Sequence, residues 1–276
     1  MHGTWQEIGD RVLVGRYRFY DQNIGVVVGS DGALVIDTRT TPRQAHEVLD
    51  DIRDHTRLPV RWFINTHWHY DHAFGNAVMR PAEGWGHVAC GAGLLAFGER
   101  MRTSFAAEVP ALASEVAEVV IDPPERTFVT TATIDLGEGR IVEMTHLGRG
   151  HTDADIVVTV PHADVLFAGD LLENAAPPYF GDGYPIAWPG TVERMLPLVT
   201  GRVVPGHGDV ADRAFVERQL EDLGTVASLA RRAHAQGLTV DDVMAHAPWD
   251  GDALVREGIE RAMAELRGEL DPERSD

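Results

Sequence analysis

The chain has 276 residues, 44% of them hydrophobic, and carries a formal net charge of −19. That length allows a sizeable core without a covalent staple. One cysteine, Cys90, excludes an internal disulfide and points to a reducing, cytoplasmic setting. The acidic balance repels polyphosphate backbones and argues against nucleic acid as a partner. The opening "MHGTWQEIGD" has no basic n-region or apolar h-region, and no apolar run is long enough for a bilayer, so neither signal peptide nor membrane partner is expected.

The first elements read as strands. "RVLVGRYRFY", "NIGVVVGSDGALVIDT" and "VRWFINTH" are rich in Val, Ile and aromatics, and "SDG" makes a turn inside the second. Residues 41–57 predict a helix, with Thr41 as N-cap, Pro42 in the first turn, and an apolar stripe of Ala45, Val48, Leu49 and Ile52. Residues 82–126 are richer in Gly and Ala and read as an inserted helical segment ending at "DPPE". Strands return at "TFVTTATIDL", "RIVEMTHL", "DADIVVTVP" and "ADVLFAGD". The stretch 174–190, "NAAPPYFGDGYPIAWPG", has too much Pro and Gly for a regular element and reads as a loop. A short helix near 191–198, a strand at "RVVPGHG", and helices over about 211–235, 239–246 and 252–268 complete the chain. The tail "DPERSD" is expected to fray. With no repeat and no linker, residues 1–276 read as one domain of two α/β halves with layered sheets.

The densest chemistry is "NTHWHYDHAFGN", which sets His67, His69, Asp71 and His72 within six positions after an apolar run. In extended chain, residues i and i+2 point the same way, so His67 and His69 can share one ion. A turn after Tyr70 can aim Asp71 and His72 at a second point nearby. Imidazole and carboxylate together suit zinc, iron or manganese better than calcium or magnesium. Three more candidates stand at strand ends or beside glycine: His151 in "GRGHTDAD", Asp170 in "VLFAGDLL" and His207 in "VVPGHGD". Singly, each reads as a turn residue, a cap or a polar loop residue; together they recur where active sites of layered α/β proteins gather.

With "HWHYDH" standing for HxHxDH, the sequence resembles the metallo-β-lactamase superfamily of metal-dependent hydrolases, which includes glyoxalase II and lactonases. The resemblance covers about residues 10–235 and implies a four-layer αβ/βα sandwich, of class α/β, with metals at one edge. It implies one site of His67, His69 and His151, a second of Asp71, His72 and His207, and Asp170 as the bridge. Two Zn²⁺ per chain are expected, with Fe or Mn as alternatives. "VIDT" places Asp37 as the acid that holds a ligand imidazole in one tautomer. A water shared by two cations loses a proton easily, zinc-bound water having a pKa near 7 against 15.7 in bulk. The resulting hydroxide is the implied nucleophile. Asp71 is the expected catalytic residue, orienting it and passing a proton to the leaving group.

Zinc β-lactamases often carry cysteine where this chain has Asp170, so the resemblance points to a small ester, lactone, thioester or amide, with β-lactams as promiscuous substrates. Glu173 stands where several acyl-homoserine lactonases have tyrosine, and the C-terminal helices, where glyoxalase II recognises glutathione with basic and tyrosine residues, are here mostly acidic, although they carry Arg231 and Arg232. A mononuclear iron enzyme like the persulfide dioxygenases and a non-catalytic metal-binding protein are the alternatives. Tyr70, Tyr179, Phe180, Tyr184 and Trp188 are the expected small-molecule contacts, with Tyr17, Phe19 and Tyr20 opposite. Cys90 reads as a buried apolar residue. A homo-oligomer is compatible with this sequence.

Overall fold

The computed structural model describes residues 2–174 and 176–270, so the tail 271–276, expected to fray, lies outside the described residues. β-branched and aromatic residues set the first strands: β1 (Thr4–Gly9), β2 (Val12–Tyr17), β3 (Gln22–Val28), β4 (Ala33–Ile36) and, after α1 (Pro42–His55), β5 (Val60–Ile64). Then come the short helices α2 (Tyr70–Ala73) and α3 (Asn76–Met79), β6 (Glu83–His87), the long α4 (Val88–Glu108), α5 (Ala113–Val116) and β7 (Arg126–Phe128). The second half holds β8 (Thr131–Asp135), β9 (Ile141–Thr145), β10 (Val157–Val160), β11 (Val165–Asn174), α6 (Trp188–Met195), β12 (Arg202–Gly208), α7 (Arg213–Gln236), α8 (Asp241–Met244) and α9 (Ala253–Arg267).

α1 starts where its cap places it: the Thr41 hydroxyl accepts the Gln44 amide at 3.2 Å, and Pro42 needs no donor there. The segment 82–126, expected as a helical insertion, holds α4 and α5 but opens on a strand, Glu83–His87, paired to β5 and β7. Gly84 explains the misleading composition. A Cβ there would meet the Phe63 ring at 2.3 Å, so glycine serves close packing. "TFVTTATIDL" splits into β7 and β8, and α6 begins at Trp188, earlier than expected.

The strands run β7-β6-β5-β4-β3-β12-β11-β10-β9-β8, with β2 on β3 and β1 on β2. β3 and β12 meet at one residue pair, Gln22 opposite His207, so the sheet divides there into two halves. The halves face each other across a shared core: Val27, Leu34, Ile36 and Ile64 pack with Val142, Met144, Val158 and Phe167. α1 covers the outer face of the first half through Ala45, Val48 and Ile52. α6, α7 and α9 cover the second through Val192, Met195, Val226 and Ile259. The result is an αβ/βα sandwich of four layers. No helix among the described residues is long and apolar enough to cross a membrane.

Candidate metal centre

The seven side chains singled out in the sequence converge at the seam between the two halves. His67 and His69 lie on the loop after β5, Asp71 and His72 on α2, His151 before β10, Asp170 in β11 and His207 in β12. The donor atoms of His67, His69, His151 and Asp170 lie within 4.8 Å of one another, as do those of Asp71, His72 and His207. Asp170 stands between the groups. Its Oδ1 is 3.3 Å from His72 Nε2, and its Oδ2 is 3.3 Å from His207 Nε2 and 3.4 Å from His151 Nε2. Glycine permits this approach: a Cβ on Gly206 would sit 1.7 Å from Asp170 Oδ1. Gly169, at φ +52°, makes the turn just before it against Thr66.

Each imidazole is fixed from behind. Asp37 accepts the Thr66 amide at 2.8 Å and the Thr66 hydroxyl at 2.9 Å, and its Oδ2 lies 2.8 Å from His72 Nδ1. Asp37 reaches this position with a left-handed backbone, φ 65°, which the surrounding bonds must hold. His67 Nδ1 lies 3.1 Å from the Thr66 hydroxyl. The backbone carbonyl of Tyr179 faces His151 Nδ1 at 3.2 Å, and that of Tyr20 faces His207 Nδ1 at 2.7 Å. Sequence reasoning missed one such partner: Asp182 Oδ2 lies 2.8 Å from His69 Nε2, leaving His69 Nδ1 for the centre. In "FGDGY" that acid carries only a turn signal.

The donor set fits divalent cations. His67 Nε2 and Asp170 Oδ1 are buried and find no hydrogen-bond partner in the protein. His72 Nε2, His207 Nε2 and Asp71 Oδ2 form a triangle with every side 3.3 Å. Tetrahedral ligands at about 2.0–2.1 Å from zinc stand about 3.3–3.4 Å apart, the same spacing. Electrostatics agree. Burial opposes charge on His72 and His207, yet Asp170 and Asp71 hold both well above the usual histidine range. Burial and the neighbouring histidines push His67 well down, and His151 down to about 4. The ionised acids thus favour positive charge on these imidazoles, at the points where cations can take the protons' place.

A cleft of about 430 Å³ opens above the cluster, lined by Tyr20, Tyr70, Met101, Phe105 and Tyr179 among others. Tyr70 and Tyr179 therefore reach it. Three expected contacts do not. Phe180 and Trp188 are fully buried and pack into the core beneath α6, α7 and α9, Phe180 against Gly258. Tyr184 stacks under the Arg149 guanidinium, 4.4 Å away, outside the cleft lining. Large rings such as Phe180 and Trp188 gain more from burial in the core than from a water-filled mouth. Tyr17 is likewise buried, donating its hydroxyl to Asp51. Cys90 is free and buried, with no partner chemistry.

The profile of the metallo-beta-lactamase superfamily matches residues 17–207, spanning all seven converging side chains. The chain belongs to this superfamily. Among curated relatives, a metallo-beta-lactamase type 2 of Bacteroides fragilis is 25% identical over 197 residues, 70% of this chain and 71% of that protein. A similar type 2 enzyme of Bacillus cereus is 25% identical over 198 residues, 70% of this chain and 69% of that protein. The solved metallo-beta-lactamase from Pontibacter korlensis superposes with a TM-score of 0.64 at 24% identity, covering 81% of this chain and 99% of that one. The stereoselective inverting sec-alkylsulfatase Pisa1 from Pseudomonas sp. gives 0.75 at 16% identity, covering 99% of this chain and 52% of that one. That likeness of fold extends over the C-terminal helices.

Proposed function

We propose that the protein is a dinuclear metal-dependent hydrolase of a small, partly apolar ester, lactone, thioester or amide. The observation that carries the reading is the closure of seven donors, six of them buried, around two points, one a 3.3 Å triangle, with Asp170 between them. His67, His69 and His151 would hold one cation, Asp71, His72 and His207 the other, and Asp170 both. Bound there, two zinc ions would acidify a shared water and polarise the scissile group.

The chain's own residues supply the rest. Asp71, buried at the cleft floor, orients the attacking water and carries its proton toward the leaving group. Asp37, Asp182 and the Tyr20 and Tyr179 carbonyls keep the imidazoles in single orientations, so little reorganisation accompanies reaction. Tyr70 and Tyr179 shield the site with apolar surface. Asp170, in place of the cysteine common in zinc β-lactamases, favours esters and lactones over β-lactams as main substrates. Elemental analysis of protein expressed with zinc should give close to two ions per chain. A screen of esters, lactones, thioesters, amides, β-lactams and a sulfate ester should show turnover, abolished by chelator, in the first four groups. At most one ion per chain, or turnover of the sulfate ester alone, defeats the reading.

A further inference from the structure

The cluster uses no residue of α4, yet α4 builds much of the cleft. Met101, Ser104, Phe105 and Glu108 all face it. Met101 and Phe105 are one turn apart on the same face of the helix. Phe105 is buried and stacks on Tyr70, ring centroids 4.7 Å apart and planes tilted by 31°. Tyr20 completes the wall, 6.2 Å from the Tyr70 ring and 6.4 Å from Phe105. The Tyr70 hydroxyl donates to the Tyr20 hydroxyl at 3.0 Å, so the polar tips satisfy each other and leave ring surface toward the cleft. Tyr20 is held there by a left-handed backbone, φ 58°, the same turn that aims its carbonyl at His207. On α4 itself Met101 and Phe105 face the cleft between Arg100 and Glu108, whose opposite charges offset each other, so this wall suits an uncharged apolar arm.

We infer that α4 is the specificity wall of this enzyme: it binds a neutral, unbranched apolar arm of the substrate, and Met101 sets the length accepted. The inference rests on the hydrolase reading for the chemistry, and on the cleft alone for the selectivity. The test uses zinc-loaded protein with p-nitrophenyl esters from acetyl to octanoyl. Alkyl hydroxamic acids of the same lengths, which bind metal without turnover, are measured by calorimetry. For the wild type, kcat/KM and hydroxamate affinity should both rise about fourfold per methylene until the cleft is full. Met101→Trp should end the rise at short chains, lowering kcat/KM for the long esters many-fold more than for the acetyl ester, with the metal content at the wild-type value. Met101→Ala, which only removes bulk, should move the optimum to longer chains. Flat wild-type series in both assays overturn the wall, as do Met101 variants that alter all chain lengths equally. Hydroxamate affinity that rises with length while no ester is turned over sinks the hydrolase reading and leaves the wall standing.

Discussion

Asp51 on α1 and Asp170 on β11 are equally hidden, each 5% exposed, and they are built on opposite rules. Asp51 accepts the Gly3 amide at 2.9 Å, the Trp5 indole at 3.0 Å and the Tyr17 hydroxyl at 2.8 Å, and also meets the His2 imidazole. That cluster closes on itself and ties the N-terminal strand to the helix. Asp170 is surrounded by imidazole nitrogens whose other sides are already taken, and its Oδ1 finds no hydrogen bond. A buried polar group must be satisfied or it costs stability. A cluster satisfied by its own donors is architecture. One whose lone pairs meet at a shared point is a receptor for cations.

The contrast can be broken at either end. The largest effect belongs to Asp170→Ala: metal content should fall from about two ions toward one or none, with activity lost, because on the proposed dinuclear reading both cations would share that carboxylate. Retention of both ions would refute its bridging place. Asp182→Asn should weaken metal affinity about 10–100-fold by freeing His69, as loss of such outer partners typically does; competition with a chromogenic chelator measures it. Asp51→Ala should behave oppositely. Metal content stays at wild type while stability drops by about 1–3 kcal/mol in urea, from the donors left unpaired. If it lost metal as Asp182→Asn does, the distinction between the clusters would collapse. The smallest effect is on pH. Burial works against ionised Asp51, yet Gly3, Trp5, His2 and Tyr17 hold its carboxyl below the ordinary 3.8. A lowered folded value means stability that is fully present above that pH and is lost as pH falls through the folded value. The stability gap between wild type and Asp51→Asn should therefore be widest above about pH 4 and narrow below it. A gap that widens with acid would reverse the assignment.

Much of this was legible in the sequence, and for a physical reason. Metal chemistry admits few residue types, so His67, His69, Asp71, His72, His151, Asp170 and His207 stand out from any background. The cap at Thr41 and the β-branched runs are local and equally readable. Asp182 is not: it is one of 43 acids, and only the folded path of residues 176–187 brings it to His69. The cleft wall is hidden in another way. Phe105 and Met101 lie on a helix whose apolar residues carry no mark of whether they face a core or a cavity, whereas Phe180 and Trp188 sit near a ligand in sequence and turn inward. Proximity along the chain was a poor guide to aromatic side chains, because rings go wherever the most surface can be buried. Gly84 shows the same limit for backbone, since its role depends on Phe63 in the neighbouring strand.

The sheet halves share one backbone pair, Gln22 with His207, while the ligand set draws His67 to His72 from one half and His151, Asp170 and His207 from the other. Under the proposed dinuclear reading, cations held there would act as a clasp across that seam. Opening of the halves would scatter the donors and release such ions, so they would bind the closed chain and not the open one. At free metal a hundredfold above its dissociation constant, one such ion adds about 2.7 kcal/mol to the closed state. On that reading metal supply would help set the protein's lifetime: with metal scarce the open form would be more populated and proteases would reach it sooner.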